Sequence, residues 1–229
     1  MEQKYEMHVI ARLCGGYASK FGVPRQSGLT EDVVSRIVFE KPYRDANALR
    51  GIEGYSHLWL VWYFHAFPHT EGAWSPTVRP PRLGGNTRMG VFATRSPNRP
   101  NPIGLSSVRL VGIEKTPSEG TVLLVSGADL TDGTPILDIK PYLPFTDAHP
   151  DAVGGFADEV KGKSLSVVFT PDTENVFDEQ ARAALVSVLS QDPRPSYQND
   201  AARVYGMTYE GREVRFVVAD GVLTVTQIE

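Results

Sequence analysis

From Tyr5 to Tyr142 the chain is a series of short apolar or alternating runs, cut apart by proline and glycine, with almost no stretch at helical spacing. That pattern rules out a helix bundle and leaves a sandwich or barrel of strands. Strands are expected at residues 5–12, 34–39, 58–64, 89–94, 106–114, 121–130 and 136–142, and at most a helical turn at 46–49. The run 58–64, made of Trp, Tyr, Phe and branched side chains, suits a fully buried strand. Two irregular stretches, 15–28 and 68–90, are long for a compact domain, so function is sought there first.

The signal changes after residues 149–162, which read as a linker. Phe177, Ala181, Ala184, Leu185, Val188 and Leu189 recur at helical spacing over 174–190, and Asp192-Pro193 stops that helix. Strands are expected at 203–209, 213–219 and 222–228, with turns at Glu210-Gly211 and Asp220-Gly221. The expected organisation is mainly β: a strand domain over 1–149 and a small α+β domain over 150–229, a helix plus three-stranded meander docked on the first. A length of 229 residues is ample for both.

An apolar fraction of 41% and a charged fraction of 22% are those of a soluble globular protein. The longest apolar run is far short of a membrane span, and the start Met-Glu-Gln-Lys-Tyr-Glu has no apolar signal core, so a cytoplasmic location is expected. Cys14 is the only cysteine, which excludes an internal disulfide and a Cys-rich zinc site. His65 and His69 have metal-like spacing only if a helix crosses Pro68, so no metal is expected.

Charge is distributed unevenly along the chain. Residues 72–113 hold no Asp or Glu but contain Arg79, Arg82, Arg88, Arg95, Arg99 and Arg109, so this stretch carries +6 and the remainder −10. Such polarity draws a polyanion to one face while the acidic remainder limits indiscriminate binding. All six are arginine, whose planar fork holds phosphate or carboxylate bidentately and stacks on bases.

The least ordinary text is Pro80-Pro81-Arg82-Leu83-Gly84-Gly85-Asn86, followed by Thr94-Arg95-Ser96-Pro97-Asn98-Arg99-Pro100-Asn101-Pro102-Ile103-Gly104. Prolines hold such loops at low entropic cost, and glycines let a ligand approach the backbone. Taken alone, this is as well explained by a rigid loop with solvated charges. In the run from Asp132 to Tyr142, alternation puts Asp138, Lys140 and Tyr142 on one side of a strand and Leu137 and Ile139 on the other. An acid, an amine and a phenol on one face suit proton transfer, or equally a surface salt bridge. Neither a Rossmann glycine fingerprint nor a P-loop is present. The residues by themselves describe a β-rich protein with an arginine-lined site for an anionic or nucleotide ligand.

Six ordered motifs go further: Pro24-Arg25-Gln26, Gly54-Tyr55-Ser56-His57-Leu58-Trp59, Arg79-Pro80-Pro81-Arg82, Gly90-Val91-Phe92-Ala93-Thr94-Arg95-Ser96, Arg99-Pro100-Asn101-Pro102-Ile103-Gly104, and Asp132-Gly133-Thr134-Pro135 onward to Pro144. Together they resemble the TrmO family (TsaA-like, YaeB-like), and Gln191-Asp192-Pro193-Arg194-Pro195-Ser196-Tyr197 extends the likeness to the C-terminal part. The resemblance implies a rolled-up β-barrel and S-adenosyl-L-methionine as methyl donor. It implies N6-methylation of N6-threonylcarbamoyladenosine at position 37 of threonine tRNA, by a homodimer in which one subunit helps complete the other's pocket.

Carried onto matching positions, cofactor contacts are expected from Arg25, Gln26, Ser27, His65, Ala66, Arg95, Leu105, Asp132, Gly133, Thr134 and Pro135. Asp138, Lys140 and Tyr142 are the candidates for assisting the reaction at N6, and Arg79, Arg82, Arg88 and Arg99 for binding tRNA. The rival readings are a non-catalytic barrel that binds an adenosyl ligand or RNA, and a methyl transferase acting on a small molecule.

Overall fold

The structure, a computed structural model, describes residues 3–229 apart from 16, 18–22, 25, 31, 69–73, 81–82, 84–86, 160–163 and 195–199. The barrel strands, with the small β4–β5 hairpin between them, are β1 (Ala11–Cys14), β2 (Val34–Phe39), β3 (His57–Tyr63), β4 (Thr77–Val78), β5 (Met89–Gly90), β6 (Ile103–Thr116), β7 (Gly120–Ser126) and β8 (Pro135–Pro141). Six of them close in the order β1-β2-β7-β6-β3-β8, because β8 pairs back onto β1 with Ala11 opposite Ile136. Closure leaves little free sheet edge, chiefly the start of β6 at residues 103–108, which pairs only with β3.

Alternation accounts for the barrel's interior. On β3, Leu58, Leu60 and Trp62 point inward to meet Leu13, Ile37, Val108, Leu123, Val125 and Ile136, while His57, Trp59, Val61 and Tyr63 face outward and are half-buried. β3 is therefore a one-sided strand rather than the fully buried one expected from its composition, because its outward aromatics are covered only in part. Each fully buried aliphatic side chain contributes roughly 1.5–3 kcal/mol.

Other expectations shift at their edges. The strand expected at 5–12 is regular only from Ala11, and that at 89–94 shrinks to β5 followed by a 3-10 turn at Val91–Ala93. β7 stops at Ser126, where Gly127 takes a φ of 78°, a left-handed turn that glycine adopts without strain. A residue with a Cβ at Gly127 would also crowd the Gly28 backbone.

After the short helices α1 (Pro144–Asp147) and α2 (Phe156–Glu159) comes β9 (Ser166–Phe169), then helix α3 (Glu179–Ser190), β10 (Tyr205–Tyr209), β11 (Arg212–Ala219) and β12 (Val222–Ile228). The expected three-stranded meander is a four-stranded sheet, β10-β11-β12-β9, since β9 adds in parallel to β12. Val167, Val168, Phe169 and Thr170 before the turn pair Pro171-Asp172 are a strand signal that the sequence reading passed over, and the exposed edge of β12 takes them up. The turns Glu210-Gly211 and Asp220-Gly221 both have two successive positive φ values, the hairpin geometry whose twist matches the strands. Asp178 caps α3 by accepting from the Ala181 N–H at 2.8 Å, and Ala184, Leu185, Val188 and Leu189 bury its inner face.

A second apolar cluster lies under α3, and it reaches into the first part of the chain. Tyr17 is 4% exposed within it, and Val23 and Val33 pack against it. Ser187 Oγ donates to Asp32 at 2.5 Å across the same boundary. The C-terminal unit thus braces the segment leading to Pro24, Gln26 and Ser27. Among the described residues no helix is long and apolar enough to cross a membrane.

Candidate functional site

The barrel wall opens where β6 changes partner. β6 pairs with β3 from Ile103 to Arg109 and with β7 from Arg109 to Thr116, and a bulge near Gly112 bends it between the two. Beyond the Gly127 turn the chain leaves β6 and meets the loop carrying Gln26, Ser27 and Gly28, where the Gly28 N–H donates to the Gly127 carbonyl at 2.9 Å.

Three adjoining cavities follow this opening. The first, about 220 Å³, is largely apolar, walled by Val23, Phe64, Ala66, Phe67 and Pro97, with His65, Asp129, Thr131 and Thr134 among its polar groups. The second, about 510 Å³, shares Trp62, Phe64 and Asp129 with the first and adds Gln26, Arg95, Arg99, Asn101 and Leu105. The third, about 480 Å³, shares Trp59 with the second and lies on the outer face beside Ser27, His57, Arg109 and Tyr142. Joined, the first two fall within the roughly 300–1,000 Å³ of a small-molecule site.

The expected cofactor residues divide between cleft and scaffold. Gln26, Arg95 and Leu105 line the second cavity, His65, Ala66 and Thr134 the first, and Ser27 the third. Arg95 Nη1 donates to Gln26 Oε1, tying two loops together across the cleft. The others of the Asp132 run serve the backbone instead. Asp132 Oδ1 accepts from the Gly15 N–H at 2.8 Å, Gly133 donates to the Leu13 carbonyl at 2.8 Å, and Pro135 sits opposite Arg12 in the ladder. These contacts pin the end of β1, and they place Thr134, 1% exposed, against the cavity. Arg25 lies outside the described residues, as does Arg82.

Of the three β8 candidates, Asp138 and Lys140 pair with each other at 2.8 Å, both well exposed, and line none of the three cavities. Tyr142 does line one, against Trp59 at 5.5 Å between ring centres. Trp59 is held by its indole N–H, which donates to Asp147 at 2.9 Å. The Leu143 N–H and then that indole keep the Asp147 carboxyl below the usual carboxylate range. Arg79 and Arg88 are exposed on and beside the β4–β5 hairpin, away from these cavities, whereas Arg99 faces the second cavity and donates to the Thr94 and Ser96 carbonyls, each at 3.3 Å. Burial, then Asp132, pushes the Cys14 thiol up, the opposite of activation. Among the described residues no cluster of His, Cys, Asp or Glu is placed to hold a metal ion.

Sequence reasoning passed over the group at the centre of the cleft. Asp129 follows buried Ala128, precedes buried Leu130 and borders both of the first two cavities. Its Oδ1 accepts from Ser106 Oγ at 2.5 Å, and Ser106 in turn accepts from the Trp62 indole at 2.9 Å. Burial raises the Asp129 carboxyl, partly offset by Ser106, by the backbone N–H groups of Asp129 and Ser27, and by Arg95. The signal was there: an acid set between Ala128 and Leu130, just after the apolar run 122–125, must be paired or used if it is buried.

Gly104 stands opposite Trp62, and a Cβ there would lie 2.2 Å from the indole. The glycine in this motif therefore makes room for the ring that floors the cleft, rather than for a ligand.

The apolar first chamber, walled by Trp62, Phe64 and Phe67, fits a flat aromatic base. Comparison with known proteins gives the family. Residues 13–148 match the family model of the tRNA-methyltransferase O N-terminal domain, and residues 162–229 that of the TrmO C-terminal domain. The chain is 40% identical to the tRNA (adenine(37)-N6)-methyltransferase of Escherichia coli (strain K12), over 98% of both chains. A Pseudomonas aeruginosa relative, 41% identical across 83% of both chains, carries S-adenosylmethionine-dependent methyltransferase in its name. The crystal structure of TrmO from Pseudomonas aeruginosa superposes with a TM-score of 0.79 at 31% identity, covering 99% of this chain and 100% of that one.

Proposed function

Because the chain belongs to the tRNA-methyltransferase O (TrmO) family, we propose that it transfers a methyl group from S-adenosylmethionine to N6 of adenosine 37 in tRNA, acting on N6-threonylcarbamoyladenosine in threonine tRNAs. The observation that carries this reading is convergence: Gln26, His65, Ala66, Arg95, Leu105 and Thr134, far apart in the chain, border adjoining cavities around Asp129.

When bound, the donor supplies an electrophilic methyl group and a good leaving group. The chain supplies position. The first cavity, with Val23, Phe64 and Phe67, takes the adenosyl end and keeps water out, and the Arg95–Gln26 bridge borders the second. The second cavity admits the acceptor base. Tyr142 and Arg109, in the third, take the carbamoyl oxygen and the threonyl carboxylate, groups that a phenol and a guanidinium hold well. Asp138 and Lys140, neutralising each other outside the cleft, have at most a rim role.

Ser27, Asp132, Gly133 and Pro135 are proposed to shape the donor loop and its floor through backbone contacts, and Arg25 is proposed to contact the donor. Arg79, Arg82, Arg88 and Arg99 are proposed to meet tRNA. We take the protein to act in the cytoplasm as a homodimer. The division into units 1–149 and 150–229 belongs to the same reading, supported by the C-terminal sheet and α3 packing a cluster of their own, to which the first unit adds only Tyr17, Val23 and Val33.

The test is methylation of tRNA carrying threonylcarbamoyladenosine, with nucleosides read by mass spectrometry. A mass gain of one methyl group on that nucleoside is expected, and on no other; its absence with donor bound would reject the reading. Replacing Arg79 or Arg88 by alanine should weaken tRNA binding and flatten its salt dependence by about one unit of logarithmic slope for each phosphate that is no longer neutralised. An unchanged slope removes that arginine from the interface.

A further inference from the structure

Asp129 stands where the proposed reaction must happen. Under that reading the donor's adenosyl group occupies the first cavity and the acceptor base the second, so N6 and the methyl group meet where the two cavities join, beside the wall they share. That wall consists of Trp62, Phe64 and Asp129, and Asp129 is the one member able to accept a proton. The threonylcarbamoyl group makes N6 part of a urea, whose delocalised lone pair attacks poorly until its proton leaves. A base at the junction answers that need, and the Trp62–Ser106–Asp129 chain of hydrogen bonds fixes its carboxylate.

We propose that Asp129 is the catalytic base, taking the N6 proton of the modified adenosine as the methyl group arrives. The N6–H bond breaks and its proton passes to the Asp129 carboxylate. N6 bonds to the methyl carbon, and the methyl–sulfur bond breaks with its electron pair going to sulfur. The neutral acid then returns its proton to solvent. Burial favours this assignment, since it holds the carboxyl above the ordinary range and so makes it a stronger base than a surface aspartate. The charged or titratable groups around it are Arg95 and Arg99 from the second cavity, His65 from the first, and Tyr17, whose phenol feels the Asp129 charge. Ser106 is a positioning residue: it holds Oδ1 and lowers the carboxyl.

The experiment uses the full chain with S-adenosylmethionine and tRNA bearing the modified nucleoside. Asp129→Asn should retain donor binding by calorimetry within about threefold while kcat falls roughly 100-fold or more. In Ser106→Ala the acid limb of the kcat–pH profile should move to higher pH. The 13C NMR titration of the Asp129 carboxyl in the donor-free protein should move the same way. An Asp129→Asn protein that turns over normally overturns the proposal, as does one whose defect is wholly lost donor affinity, because Asp129 would then hold the donor. An acid limb and carboxyl titration unmoved in Ser106→Ala also overturn it. If wild type itself leaves the modified nucleoside unmethylated, the reading beneath fails, and the carboxyl titration still reports on Asp129 by itself.

Discussion

Replacing Tyr17 by alanine should raise the dissociation constant for S-adenosylmethionine by roughly 10–100-fold, or about 1.4–2.7 kcal/mol, although Tyr17 lines none of the three cavities. Its ring is buried in the C-terminal cluster beside Val23 and Val33, its hydroxyl bonds Thr30 Oγ1 at 2.8 Å, and its carbonyl accepts the Asp132 N–H at 2.8 Å. Burial pushes its phenol up to about 12, so it stays a neutral hydrogen-bonding group at any working pH.

Truncating a buried aromatic costs about 3–5 kcal/mol, and here the loss falls on the segment that presents Gln26 and Ser27 to the cleft. Tyr17→Phe removes only the hydrogen bond, about 1 kcal/mol, and should bind donor nearly as wild type does. Calorimetry on both variants decides the matter. If Tyr17→Ala binds donor normally, the C-terminal unit does not brace the donor loop.

The second large effect is expected at Gly104. Alanine there places its Cβ 2.2 Å from the Trp62 indole, which is 7% exposed and cannot swing aside without breaking its bond to Ser106. Overpacking of this kind costs about 1–3 kcal/mol, and each kcal/mol lowers Tm by about 2–4 °C in a chain of this size. Because Trp62 also floors the first two cavities, donor binding should fall with stability. Pairing Gly104→Ala with Trp62→Phe, whose smaller ring clears the added methyl group, should recover part of the Tm. A double variant no more stable than Gly104→Ala would show that the strain lies elsewhere.

Local signals carried much of the fold. Strands β2, β3 and β8 fell close to where alternation and aromatic content put them, α3 ended where its stop signal did but began at Glu179 rather than at 174, and both C-terminal turns fell at their acid–glycine pairs. These are properties of a few consecutive residues. β9 was missed although Val167, Val168 and Phe169 ahead of Pro171-Asp172 signal a strand; what no local pattern gives is its parallel partner, β12. In the site, the motif residues on the donor loops were legible by resemblance, whereas Asp129 was not, since its importance lies in what borders it.

Sequence alone determined that this chain is a strand protein with a helix-bearing C-terminal part, a belt of arginines and a set of braced loops, because period, turn chemistry and charge are written residue by residue. Only the tertiary structure decided that β6 parts from β7 to open the wall, that Asp138 spends its charge on Lys140, that Tyr17 belongs to the distant apolar cluster, and that Asp129 stands between two cavities. Each of those depends on register and on contacts between segments far apart in the chain. A one-residue bulge changes which groups meet without leaving a mark on the local pattern.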